Sequence, residues 1–129
     1  MKKILLIMIL IFVTIIVIEN GCKNNSSNPV TPPTSTTSTM HVISASGSSY
    51  SFSPNSITDI KIGDTMKFVW LSGNHTTTST SVPTGASTWN NPLNSGSTSF
   101  IYIITKSGTY NYQCNFHYAM GMTGSFTVN

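Results

Sequence analysis

Gly108-Thr-Tyr-Asn-Tyr-Gln-Cys114-Asn-Phe-His117-Tyr-Ala-Met120-Gly-Met122-Thr-Gly-Ser125-Phe-Thr-Val128 reads as strand, loop and strand. Tyr110 and Tyr112 share one side of the first run, and Phe126 and Val128 one side of the last. Side chains alternate across a strand with period two, so each run predicts a half-buried strand. Between them a thiol, an imidazole and a thioether fall within nine residues, Cys114 to Met122. The stretch therefore predicts a β-hairpin whose loop carries soft ligand atoms.

Upstream, strand signals recur with short breaks. Residues 40–46 predict a first strand, and Gly47-Ser48-Ser49 a turn. Residues 50–53 follow and stop at Pro54, which has no N–H for a sheet ladder. Ile60 and Ile62 alternate before Gly63-Asp64, a turn signal. Met66, Phe68 and Trp70 alternate with Thr65, Lys67 and Val69. A Thr-rich run at 75–82 is a weaker candidate. Residues 83–96, with Trp89 and Pro92, read as a long loop, and Phe100, Tyr102 and Ile104 as the next strand. About eight short strands without a helical period predict an all-β, Greek-key antiparallel β-sandwich over residues 40–129.

Ahead of that domain, Lys2 and Lys3 precede residues 4–18, which are apolar apart from Thr14. As a helix this run spans roughly 22 Å, short of a hydrocarbon core of about 30 Å. Residues 1–21 therefore read as a signal peptide of lipoprotein type, with Gly21-Cys22 as the junction, or else as a membrane anchor. Residues 22–39 hold Pro29, Pro32 and Pro33 among Ser, Thr and Asn, and read as a disordered linker. Both readings leave the domain exported and tethered to a membrane in the cell envelope, on its periplasmic or extracellular face. Charged residues are 7% of the chain, the net charge is +3 and Arg is absent. Nucleic-acid binding needs clustered cations and has no support.

The two cysteines are Cys22 and Cys114. With Cys22 lipidated, Cys114 is an unpaired thiol in an oxidising compartment, a liability unless something holds it. Soft sulfur with imidazole selects copper over hard cations, and two His, one Cys and a distant axial Met make the trigonal blue-copper arrangement. The second His must come from elsewhere. His75 follows the Trp70 strand and a Ser-Gly-Asn turn, which suits the same end of a sandwich, whereas His41 at the domain start has no such context.

The segment resembles the ligand loop of the cupredoxins, in their plastocyanin and pseudoazurin branch. The shared pattern is Cys-x-x-His-x-x-x-Gly-Met, met by Cys114, His117, Gly121 and Met122. Phe52-x-Pro54, Ile60-x-Ile62-Gly-Asp-Thr, Phe68-Val-Trp70 and Gly108-Thr-Tyr-x-Tyr-x-Cys114 extend the likeness over residues 40–129. The resemblance implies one copper cycling between Cu(I) and Cu(II), with His75 and His117 as nitrogen ligands, Cys114 as thiolate and Met122 as axial sulfur. Met120 comes second for that role, being two residues early for the family spacing. Two departures are plain. Phe116 stands where the family usually has Pro, and Asp59 is an extra residue between Ile57 and Ile60, which suggests a bulge.

The implied function is a type 1 copper protein acting as a one-electron carrier, monomeric and without catalytic turnover of its own. Redox partner proteins would dock around His117 at Phe116, Tyr118, Ala119 and Met120. The alternative is an exported copper-binding protein for storage or delivery. Oxidases with further copper centres need His beside the Cys, and Gln113 and Asn115 occupy those places. A Phe116 N–H pointing at the Cys114 sulfur would draw electron density from it, so that Phe116→Pro would lower the reduction potential.

Overall fold

The computed structural model describes residues 37–129. Nine strands follow in order: β1 (Met40–Ser46), β2 (Ser51–Ser53), β3 (Ser56–Ile60), β4 (Thr65–Trp70), β5 (His75–Ser81), β6 (Asn90–Leu93), β7 (Ser99–Ile103), β8 (Gly108–Gln113) and β9 (Thr123–Val128). A single 3-10 turn, Tyr118–Met120, sits between β8 and β9. One sheet has the order β2-β1-β4-β7 and the other β3-β9-β8-β5-β6.

The all-β sandwich is as the periodicity implies, with two refinements. Both sheets are mixed, because β1 pairs parallel with β4 and β3 parallel with β9. The other pairings are antiparallel. Parallel neighbours far apart in sequence leave no mark on local alternation, so the strand pattern alone reads as antiparallel. The second refinement is β6, inside the stretch read as a loop. Its Asn-Asn-Pro-Leu sequence has poor strand propensity. It is an edge strand, where Pro92 can sit opposite Thr76 at little cost.

The inner faces are closed by aromatic rings. Phe68 meets Tyr112 edge-on at 5.1 Å between centroids, and Tyr110 stacks on Phe126 at 4.7 Å. Trp89 leaves its loop to enter this core, 4.6 Å from Tyr102, and its indole N–H donates to Thr77 Oγ1. Each such side chain contributes about 1.5–3 kcal/mol of burial. The bulge expected at Asp59 is present: the β3–β9 register shifts between Ile57 and Ile60, and Asp59 has φ of 63°.

Residues 38–39, read as the end of the linker, are held by the domain. The Thr39 N–H donates to Asp64 Oδ1 at 2.8 Å, and Ser38 Oγ to the Gly63 carbonyl at 2.8 Å. The signal or anchor at 1–21 and the linker up to residue 36 lie outside the described residues. No helix among the described residues is long and apolar enough to cross a membrane.

Because β1 and β4 run parallel, the turns after Ser46 and Trp70 emerge at the same end of the sandwich. β5 starts there and β8 finishes there. That end therefore gathers residues 47–50, 71–75 and 114–122.

Candidate metal centre

Two elements supply the donor atoms. His75 is the first residue of β5, fully buried, and Cys114 is the buried residue that follows β8. His117 lies three residues on, half-buried, just before the 3-10 turn. The loop is closed by its own backbone. The Cys114 N–H donates to the Met122 carbonyl at 3.0 Å, and the Met122 N–H to the His117 carbonyl at 3.2 Å. Gly121, at φ of 86°, makes the left-handed step that turns the chain back into β9.

His75 Nδ1, His117 Nδ1 and Cys114 Sγ lie within 4.8 Å of one another. The sulfur is 3.8 Å from His75 Nδ1 and 3.5 Å from His117 Nδ1, and the two nitrogens are 3.2 Å apart. His75 Nε2 lies 2.9 Å from the Ser72 carbonyl, which can only accept. In the neutral ring Nε2 thus carries the proton, and the Nδ1 lone pair faces the sulfur and the second imidazole. Burial pushes the His75 pKa below the ordinary imidazole value, against the Ser72 carbonyl and with the help of nearby His117. A neutral ring with a converging lone pair is the form that binds a metal.

The turn that aims His75 depends on glycine. Gly73 has φ of +88°, and a Cβ there would stand 2.8 Å from His75 Nε2 and 3.0 Å from Gly47 Cα. The Trp70 indole N–H, donating to the Gly73 carbonyl at 2.7 Å, fastens the same turn.

Around the donors are residues that sequence reasoning missed. The Thr76 N–H donates to Cys114 Sγ at 3.4 Å, and the Asn115 N–H to Thr76 Oγ1 at 2.8 Å, which ties the Cys loop to β5. Thr76 is thus the backbone donor to the sulfur. Phe116 makes no such bond among the described residues, so the potential shift expected of Phe116→Pro loses its basis. Tyr50 lies with its ring centroid 4.5 Å from that of His117. Nothing in the sequence separates Thr76 from the neighbouring threonines; its place after the buried His is the available signal.

The remaining sequence candidates divide cleanly. Met122 is fully buried beneath the loop, whereas Met120 is 64% exposed on it. His41 is remote from the cluster, its Nε2 3.1 Å from Asp64 Oδ2.

The donor set suits copper. A thiolate and two imidazoles are soft to intermediate ligands, no carboxylate joins them in the cluster, and a buried methionine follows on the same loop. A structural zinc site would want a fourth strong ligand, Cys, His or carboxylate.

Comparison with known proteins agrees. The family profile for copper binding proteins, plastocyanin/azurin family, matches residues 38–129. No curated protein sequence matches the chain. Among solved structures, a pseudoazurin from Sinorhizobium meliloti is 28% identical, with a TM-score of 0.59 over 70% of this chain and 73% of that one. The native pseudoazurin of Hyphomicrobium denitrificans is 25% identical, with a TM-score of 0.60 over 70% of this chain and 75% of that one. The oxidised plastocyanin of the fern Dryopteris crassirhizoma, 21% identical, shares the fold at a TM-score of 0.57 over 69% of this chain and all of that one. With the sandwich, the converging Cys and His atoms and the profile spanning the domain in agreement, the chain belongs to the plastocyanin/azurin family of copper-binding proteins, the cupredoxins.

Proposed function

We propose that the chain is a one-electron carrier of the cell envelope, holding one type 1 copper through His75, Cys114, His117 and Met122. The observation that carries this reading is the convergence of two imidazole Nδ1 atoms and one thiol sulfur within 4.8 Å of one another. Copper, when bound, supplies the Cu(II)/Cu(I) couple. The protein's part is to keep its ligands still. Ser72 and Gly73 hold His75, Thr76 and Asn115 hold the Cys114 loop, and the core beneath is packed. Ligands that do not move between oxidation states keep the reorganisation on electron transfer small.

His117 is the half-buried member, so its ring is the exit to the surface. Phe116, Tyr118, Met120 and Leu71 are exposed at this end, each by more than half, with Tyr50 beside them. An apolar rim with few charges suits brief docking of a redox partner. Storage or delivery would be served by an open site, whereas here His75, Cys114 and Met122 are all fully buried. The domain acts as a monomer, tethered outside the cytoplasm by its N-terminal segment, and has no catalytic turnover.

Adding Cu(II) to the full chain should give an intense thiolate-to-copper band in the visible and a narrow-hyperfine EPR signal. Cys114→Ser should abolish both. Met122→Leu should keep the blue band and raise the potential, since an electron-donating sulfur is lost from Cu(II). No visible band in the wild type would overturn the assignment.

A further inference from the structure

A second apolar surface lies on the outer face of the four-stranded sheet, at the end away from the metal ligands. Cross-strand partners point to the same face. Met40 pairs with Thr65 and Thr65 with Ile103, while Val42 pairs with Lys67 and Lys67 with Ile101. The two rows place Met40, Val42, Ile101 and Ile103 on one surface, across strands about 4.8 Å apart. All four are about half or more exposed, and Ile62, on the turn before β4, is exposed too. Single exposed apolar residues are ordinary, but four on one sheet face with a fifth on the adjoining turn make a patch of the kind that is often functional.

The charges here are few and of one sign. Lys67 stands between Val42 and Ile101, and Lys61 adjoins Ile62. Asp64 is turned inward, its carboxylate taken up by the Thr39 and Lys61 N–H groups and His41. Asp59 belongs to β3, in the other sheet.

We propose that this face rests on the surface of a phospholipid bilayer, its apolar side chains at the headgroup boundary and Lys67 and Lys61 on anionic headgroups. The inference rests on the N-terminal tethering stated above. The chain enters the domain at Met40, which belongs to the patch, and the apolar residues 4–18 precede it by a short linker. A tether that ends at the patch raises its effective concentration at the bilayer, so a weak contact suffices. Lys67, at the middle of the patch, would meet its own copy in a two-fold pairing, a like-charge contact that disfavours a second copy. Amphipathic surfaces with Lys beside apolar side chains bind in this way. With the sheet face against the bilayer, β1 would run along the membrane surface, and the ligand end would lie to one side of the patch by about the length of β1, roughly 20 Å.

The test uses the full chain in vesicles of phosphatidylethanolamine and phosphatidylglycerol with brominated acyl chains. Ile103→Trp places a reporter on the patch, and Thr80→Trp one on the exposed outer face of the other sheet. Near-UV circular dichroism checks that both fold, and the unaltered chain supplies the background of Trp70 and Trp89. The expected result is flotation of all three chains, at least twofold quenching of the added emission for Ile103→Trp, and none for Thr80→Trp. Flotation without selective quenching overturns the bilayer contact and leaves the tether standing. Loss of flotation overturns the tether and the contact together. A disulfide-linked dimer of an Ile103→Cys chain, with no quenching in Ile103→Trp, replaces the bilayer by a second copy.

Discussion

Tyr112 and Gly73 show how single residues constrain this protein. Tyr112 is packed against Phe52, Phe68 and Gly124, and its hydroxyl has no hydrogen-bond partner among the described residues. Burial also pushes its pKa well above the ordinary phenol value. A buried unpaired hydroxyl costs about 1–3 kcal/mol, so Tyr112→Phe should stabilise the domain by about 1 kcal/mol in urea unfolding. A loss of stability would mean that the hydroxyl is paired after all. Gly73 has the opposite character, since both its positive φ and the nearness of the His75 ring exclude a side chain. Gly73→Ala should fold with a loss of about 1–3 kcal/mol and displace His75. Copper affinity, measured by competition with a chelator, should fall at least tenfold. His75, Cys114 and His117, whose donor atoms converge, were legible as candidates because thiols and imidazoles are scarce in this chain. Thr76 was not, because its bond to the sulfur comes from a backbone N–H, and its hydroxyl, which accepts from Asn115, looks like those of the threonines beside it.

At the scale of elements, alternation made β1 and β4 readable to within a residue or two, while β6 was hidden. A strand is visible when its side chains alternate between core and water, and Asn90–Leu93 buries only its last residue. The two parallel pairings were invisible for a related reason, since register across about 20 to 70 residues is decided by the whole core. The turn between β3 and β4 clips the first strand to the domain through Asp64. Hydrogen bonds from the Thr39 backbone, His41 and the Lys61 backbone, strongest first, lower the Asp64 pKa to about 2. The unfolded carboxyl titrates near about 3.9. Between these values the unfolded chain binds the extra proton, so this stabilisation is full above about pH 4 and is lost as pH falls towards 2. Asp64→Asn should therefore lower the thermal midpoint at pH 7 and flatten its dependence between pH 4 and 2. An unchanged slope would show that Asp64 is not the group that titrates.

Across the molecule, the converging donors and the entry of the chain into the domain occupy opposite ends. The donors gather where β1, β4 and β8 finish, and the chain enters at the start of β1. The fold class and ligand end followed from sequence, because a sandwich must expose its loops at its ends and the loop with Cys114 names one of them. The outer apolar face did not. Met40 and Val42 lie far from Ile101 and Ile103 in the sequence, and only the cross-strand register brings them onto one surface.

The parallel pairing of β3 with β9 has a consequence for how the chain is made. It joins Ser56 to Ser125, roughly 70 positions apart, and β3 has no other strand neighbour. The five-stranded sheet cannot be completed until the last strand has left the ribosome, and non-local closure of this kind takes milliseconds to seconds. The four-stranded sheet needs nothing beyond β7, so the sheet that carries the donors is the one that closes last. His117 and Met122 precede β9 by only a few residues, so a metal ion meets loose side chains until β9 is in place. The finished cluster first exists once that last strand has paired.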